Sequence, residues 1–264
     1  MRIKRLTAIL LCLCMALTLL PATAWAADGE TIHVGGVTLT GSADTPAYAK
    51  TDNSGNVTVE SAREDDYNLK WDGTTLTLDN ANISGGHEFS GPWDSGSAAI
   101  YYSGGSDISL ILTGENTVTG PNGDDINNAS FGIYAYGDSK NSIDLTISGS
   151  GSLTATGGNM VSESYGIFAD NLIVQSGTVN AAGGNTVSNS YGIYAYIDLT
   201  ISGGSVKFHY LFLLLNLDFM GVCNKKSIDL PFSGIMSIAK PTLNQGDNAH
   251  GHYTVFTSLN SIPT

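Results

Sequence analysis

Three kinds of short segment recur in fixed order over residues 71–206, and they predict an all-β fold. The fold class they predict is a right-handed parallel β-helix, a solenoid of about four to five rungs of three short strands, with an N-terminal β cap. The first unit reads Ser-Phe-Gly-Ile-Tyr-Ala-Tyr at 130–136, Ser-Tyr-Gly-Ile-Phe-Ala-Asp at 164–170 and Ser-Tyr-Gly-Ile-Tyr-Ala-Tyr at 190–196, with a looser copy at 97–103. The second is a Leu-x-apolar strand that starts at Leu76, Leu110, Leu145, Leu172 and Leu199. The third centres on Ile83, Val118, Leu153, Val179 and Val206. The leucines of the second unit stand 34, 35, 27 and 27 residues apart.

Alternation of apolar and polar residues within each unit argues for strands. The Gly and Asn between the units supply the positive φ that tight corners need. Helices are disfavoured, because Gly and β-branched residues dominate the repeats. A three-stranded rung cannot bury its own inward face, so rungs must stack, about 4.8 Å apart, with like residues over like. The predicted inward columns are Leu76/Leu110/Leu145/Leu172/Leu199, Leu78/Leu112/Ile147/Val174/Ile201, Ile83/Val118/Leu153/Val179/Val206 and Ile100/Ile133/Ile167/Ile193. The extra residues of the longer periods are placed in loops at 120–128 and 157–163. An antiparallel sandwich is the alternative, but it does not account for three strand types recurring in fixed order.

The rest of the chain divides around this body. Residues 1–26 read as a secretory signal peptide: Arg2, Lys4 and Arg5, an apolar run from Leu6 to Leu20, then Ala24-Trp25-Ala26 as a small-x-small cleavage site. The run, about 15 residues, is short for a membrane span. Residues 27–70 are polar and less periodic, with strands expected at 32–39 and 56–59, and read as an N-terminal cap. At Lys207 the composition changes abruptly, and 207–264 reads as an atypical tail. It has three readings, a C-terminal cap, a membrane-associated segment and a truncated or frame-shifted continuation, and the last is favoured because the break falls inside a repeat.

Charge and cysteine content narrow the function classes. Removal of 1–26 leaves 8 basic and 24 acidic residues, a formal charge of −16. That excludes a nucleic-acid partner, since phosphate binding needs basic surface. It suits cations or neutral glycans. Cys223 is the one cysteine beyond the leader, so no intrachain disulfide is expected. The leader predicts a secreted, extracellular protein, associated with the cell surface and lacking a transmembrane span after cleavage.

Catalysis finds little support. Residues 71–206 hold 13 acidic residues and one basic residue, Lys140, which argues against a polysaccharide lyase with a Lys or Arg base. A glycoside hydrolase needs two carboxylates across a cleft. Asp144 with Asp198 is one candidate pair, but its place in a Thr75/Ser109/Asp144/Asn171/Asp198 column favours a polar strand corner. Asp124 and Asp125 lie in a loop rich in oxygen ligands, suited to calcium, with a solvated loop as the plainer reading. His33 and His87 are isolated in sequence and suggest neither a triad nor a zinc site.

The most suggestive feature is aromatic. With Ile100, Ile133, Ile167 and Ile193 inward, Tyr101, Tyr134, Phe168 and Tyr194 point outward. They form a stripe about 14 Å long, flanked by Tyr136 and Tyr196. Sugar rings stack on such strips; the alternative is that the rings support one another.

Leu76-Thr-Leu-Asp-Asn-Ala-Asn-Ile83, Ala98-Ala-Ile100, Leu110-Ile-Leu-Thr-Gly-Glu-Asn-Thr-Val118 and Leu145-Thr-Ile-Ser-Gly-Ser-Gly-Ser-Leu153 resemble the carbohydrate-binding β-helix proteins of gut and cellulolytic Firmicutes. The resemblance covers roughly 71–206 and ends there. It implies an architecture related to pectate lyases without their catalytic machinery, and binding of plant or host polysaccharide at the cell surface, with calcium as a candidate ion. The expectation is therefore a non-enzymatic, carbohydrate-binding β-helix. Two further readings stand beside it: a structural adhesin or stalk without a sugar site, and a relative of polysaccharide hydrolases or lyases.

Overall fold

The computed structural model describes residues 30–90, 95–123, 128–138, 140–160, 162–186 and 189–208, with short strands at 211–213, 228–231, 236–238 and 256–257. The predicted leader lies outside the described residues. The regular elements among them are all β-strands, so the all-β expectation holds. No helix among them is long and apolar enough to cross a membrane.

The N-terminal strands are β1 (Glu30–Val34), β2 (Val37–Gly41), β3 (Ala47–Thr51), β4 (Val57–Thr58) and β5 (Leu69–Trp71). Then follow β6 (Thr75–Asp79), β7 (Asn82–Ile83), β8 (His87–Ser90), β9 (Ser95–Gly104), β10 (Ile108–Thr113), β11 (Glu115–Thr119), β12 (Ala129–Gly137), β13 (Asp144–Gly149) and β14 (Ser152–Thr156). The last are β15 (Ser164–Val174), β16 (Thr178–Ala182), β17 (Ser190–Ile201), β18 (Ser205–Phe208), β19 (Leu211–Leu213), β20 (Ile228–Pro231), β21 (Met236–Ile238) and β22 (Phe256–Thr257). They form a 16-stranded, mostly parallel sheet and a 6-stranded sheet.

The repeats add strands to three parallel columns: β9–β12–β15–β17, β6–β10–β13–β15–β17 and β7–β11–β14–β16–β18. The long strands β15 and β17 run through two columns and join them into the larger sheet. The pairing is parallel throughout these columns, against the sandwich alternative.

Of the predicted inward columns, Ile100/Ile133/Ile167/Ile193 pairs as expected. The others slip by two residues between the second and third repeats. Leu110 pairs with Leu76 and Ile147, while Leu145 pairs with Ile108. Likewise Val118 pairs with Ala155, and Leu153 with Asn116. A slip of two preserves the strand's facing, so every predicted core residue is still buried. The slip does put the amide of Asn116 into an apolar column. Its side chain is satisfied there: Oδ1 accepts from Ala81 N at 2.9 Å, and Nδ2 donates to the carbonyls of Thr113 and Ser152 at 3.0 and 3.1 Å.

The predicted loop positions also need correction. Three residues of the longer period fall at 120–128, but seven fall at 137–143, where β12 leaves one column for the next. The 157–163 turn has no insertion relative to its successor at 183–189. Asp170 explains how the larger loop is held. Its buried carboxylate accepts N–H groups from both ends of the loop, Gly137 at 2.8 Å and Ile143 at 3.1 Å. The predicted boundary at 206 moves too: Lys207 and Phe208 continue β18 in register with Asn180 and Ala181, and Phe208 is buried.

At the N-terminal end the strands turn antiparallel. The segment expected as one strand at 32–39 is a hairpin, because Gly35 and Gly36 both adopt positive φ. Its first strand pairs with β9 and β5 pairs with β6, so both columns of the larger sheet begin with an antiparallel strand. Inside this end Tyr102 occupies the inward position that Ala135 takes in the next repeat, and its ring centroid lies 6.1 Å from that of Trp71.

The Ser-aromatic-Gly-Ile unit has two structural functions. Ser130 Oγ accepts from Gly158 N at 2.8 Å and donates to Pro121 O at 2.7 Å. Ser164 repeats this one layer on, with Gly184 N and Gly158 O at 2.7 Å each. The buried hydroxyls thus rivet each turn to the next. The glycine marks a bend: on its far side Ile167 faces inward, yet Tyr165 faces outward with Phe168. A Cβ at Gly166 would lie 2.6 Å from Gly192 O, 2.7 Å from Ala182 N and 2.8 Å from Ala155 O, all backbone atoms.

Gly166→Ala should therefore destabilise the protein by about 1–3 kcal/mol, as overpacked sites do. Gly105→Ala, where the nearest atoms are 3.6 Å away, should change stability by under about 0.5 kcal/mol. Urea unfolding of the two variants checks the contrast.

Candidate functional site

The outer face of β9, β12, β15 and β17 carries two aromatic ladders. Tyr101, Tyr134, Phe168 and Tyr194 stack in register, with ring centroids 5.4, 5.1 and 4.7 Å apart and interplanar angles of 14°, 3° and 12°. This is the predicted stripe in the predicted order. The second ladder, Phe131, Tyr165 and Tyr191, stacks at 4.9 and 5.5 Å. Its rings meet the first ladder edge to face, as in Phe131–Tyr134 at 79°, Tyr165–Phe168 at 85° and Tyr191–Tyr194 at 73°. Stacked and T-shaped pairs at such distances are the favoured aromatic geometries.

The expectation of an exposed strip is corrected. Tyr134 and Phe168 are only 5% and 6% exposed. Stacking along the strand-to-strand direction spends both faces of each middle ring on its neighbours. The second ladder closes one flank, and Phe89 of β8 lies 4.6 Å from both Tyr101 and Tyr134. The middle of the stripe is a second hydrophobic core, outside the sheet.

Polar groups gather at the margin beside the second ladder. Tyr191 and Tyr194 are half-buried; β19 adds a parallel strand beyond them, with Phe212 in register with Tyr194. Beside them Glu163 accepts the Tyr165 hydroxyl on Oε2 at 2.6 Å and the Asn189 amide on Oε1 at 2.8 Å. Burial, then the Glu163 carboxylate, pushes the phenols of Tyr165 and Tyr191 above the usual tyrosine range. Both phenols therefore stay neutral hydroxyls near this carboxylate. On the opposite flank of the first ladder Tyr136 and Tyr196 meet edge to face, with centroids 5.8 Å apart. They touch across the intervening layer because β17 bulges there: two residues separate Ala195 from Asp198 where one separates Ala169 from Asn171.

Glu163, Tyr165, Asn189 and Tyr191 were not singled out from sequence. Strict alternation puts Tyr165 on the same face as Ile167, and only the Gly166 bend turns it outward. The repeated aromatic before each glycine was the signal available.

Asp144 and Asp198 do stand in one column, but Asn171 sits between them. Its Nδ2 donates to Asp144 Oδ1 at 2.9 Å. Asp107 Oδ1 in turn accepts the Asp144 N–H at 2.8 Å, so Asp107, not Ser109, holds the preceding position. Desolvation foremost, with the Asp144 charge as a lesser cause, raises the Asp198 carboxyl above its ordinary range. The column is a polar strand corner. Asp124 and Asp125 lie outside the described residues. Among the described residues no group of three or more His, Cys, Asp or Glu could hold a metal ion. His33 and His87, separate in sequence, come together: their rings stack with centroids 3.6 Å apart at 10°.

No family model, curated protein or solved structure matches this chain.

Phe168→Ala should cost about 3–5 kcal/mol, the usual range for a buried aromatic; thermal unfolding that differs little from the parent would return Phe168 to the surface. Asp170 gives a pH prediction. Desolvation raises its carboxyl above the ordinary range, so the folded chain keeps this proton after the unfolded chain has lost it. Its contribution to stability is then greatest below the unfolded pKa and declines as pH rises through the folded one. Asp170→Asn keeps an acceptor for both N–H groups without the charge and should be at least as stable as the parent at pH 7. Asp170→Ala leaves both unsatisfied and should lose about 1–3 kcal/mol. Equal losses in the two variants would refute this account.

Proposed function

We propose that this chain is an exported, non-catalytic surface module that binds neutral polysaccharide. In this reading residues 71–208 form a right-handed parallel β-helix behind the cap at 27–70, and the leader at 1–26 is removed on export. Three parallel columns of strands, each fed once per repeat, support the architecture.

The observation that carries the binding reading is the Glu163 corner. A carboxylate and an amide lie beside half-buried Tyr191 and Tyr194, the combination that grips sugar hydroxyls while an aromatic surface covers the ring's apolar face. Glu163 uses one oxygen for Tyr165 and the other for Asn189, and an ionised carboxylate has further acceptor capacity on each. Tyr136 and Tyr196 lie on the opposite flank of the first ladder, away from this corner. A neutral polymer is favoured because the repeat body has 13 acidic residues against one basic residue, which repels an acidic one.

A second reading has its own observation. Burial of Tyr134 and Phe168 within the ladders suits a spacer, an adhesin stalk whose rings stiffen the stack and meet no ligand. The two readings separate on retention of the full chain by insoluble neutral polysaccharides such as a β-glucan, a xylan and a mannan, with and without chelator. Glycan binding predicts retention that falls about tenfold or more in Tyr191→Ala/Tyr194→Ala, a loss of at least about 1.4 kcal/mol. Retention abolished by chelator alone would move the site to the Asp124–Asp125 loop. No retention of a folded chain on any polymer would leave the spacer.

A further inference from the structure

The two antiparallel strands β1 and β8 share one edge of β9. His87 on β8 pairs with Ala98, and His33 on β1 pairs with Tyr101, so the strands meet end to end along that edge. Gly35 N donates to Ala99 O at 2.7 Å in the joint between them. The stacked imidazoles lie over this joint. His33 is fixed by a 3.0 Å hydrogen bond between its Nδ1 and Thr38 Oγ1, and both rings pack on Tyr101, at 5.8 and 4.9 Å.

We infer that the His33–His87 stack is an acid-released clasp, which holds the β1–β2 hairpin and β8 on the edge of β9 while neutral and lets them go when protonated. Two neutral imidazoles stack favourably. Two imidazoliums with centroids 3.6 Å apart repel, and a partly buried site screens that repulsion less than open water does.

Among the described residues no carboxylate opposes this. On β1, Glu30 lies on the opposite face from His33: its carbonyl accepts the Trp71 indole N–H, and its charge acts on Tyr102. On β8, Glu88 alternates away from His87 and Phe89. From β2 the facing side chains are Thr38 and Thr40, and from β9 the titratable group is the Tyr101 phenol. Burial first, and then the neighbouring His87, hold the His33 imidazole below its ordinary range. A lowered imidazole means that the unfolded or detached strand takes up the proton first, so attachment weakens as pH falls through and below the unfolded histidine range. The device is independent of glycan binding.

Hydrogen exchange of the full chain at pH 7.5 and pH 5.0, normalised to intrinsic exchange rates, tests it. Protection of 30–34 and 87–90 should fall about tenfold or more at the lower pH, the equivalent of a one-unit shift in one group. Protection of 145–155 in the repeat body should hold. In His33→Gln/His87→Gln the ratio between the two pH values should approach one, whatever the absolute protection. If that variant does not fold, NMR titration of the parent decides: His33 must titrate below the ordinary imidazole range. A parent ratio within twofold, an unchanged ratio in the variant, or an ordinary titration of His33 would each overturn the clasp.

Discussion

Parallel, in-register pairing between successive repeats is the constraint on which the rest of this structure depends. Strands spaced about 4.8 Å apart force each side chain to sit directly over its counterpart. Inside, that gives continuous aliphatic columns. At the turns it lets the Ser130 and Ser164 hydroxyls bond the turns above and below. It also lets Asn159 and Asn185 repeat one side-chain-to-backbone link, Asn159 N to Asn122 and Asn185 N to Asn159. Outside, it stacks rings face to face. The glycine content follows from the same spacing, since a Cβ at Gly166 would collide with the backbone of the next layer.

A stack built this way has edges, and unpaired edges recruit other strands. The chain meets the first edge with antiparallel strands, and it does so in pieces. β1 and β8 divide the edge of β9 between them, while β5 covers β6. At the other end β20 and β21 pair antiparallel with β18 and β17. Dividing the first edge leaves a joint, and the only stacked histidine pair among the described residues lies over it. Stability and responsiveness therefore concentrate in different places: the columns in the middle, the joint at the start.

The aromatic ladders show how stacking changes the chemistry of a surface. A single outward tyrosine offers its face to a ligand. A ladder of them offers faces only at its ends and edges along its length, because each face is already covered. Tyr134 and Phe168, in the middle, are thereby buried, and the hydrogen-bonding groups Glu163 and Asn189 lie at the flank.

Much of this was legible in the sequence, because repetition is visible without coordinates. The all-β class, the order of the strand units, the Ile100–Ile193 column and the order of the outer ladder are consequences of periodic alternation. The two-residue slip at Leu145 was not legible, since Leu and Ile are interchangeable in an apolar column and both registers keep the same face inward. The loop at 137–143 was misplaced because Gly- and Asn-rich turns look alike in sequence. The sequence by itself determined which residues face inward, through a period of two that survives any even shift. Only the tertiary structure decided where that period breaks, at the Gly166 bend, because the break is imposed by the neighbouring layers' backbone. That bend turns Tyr165 outward beside Glu163, and chain folding alone brings His33 to His87, since proximity between distant segments is written in the packing and not in either segment.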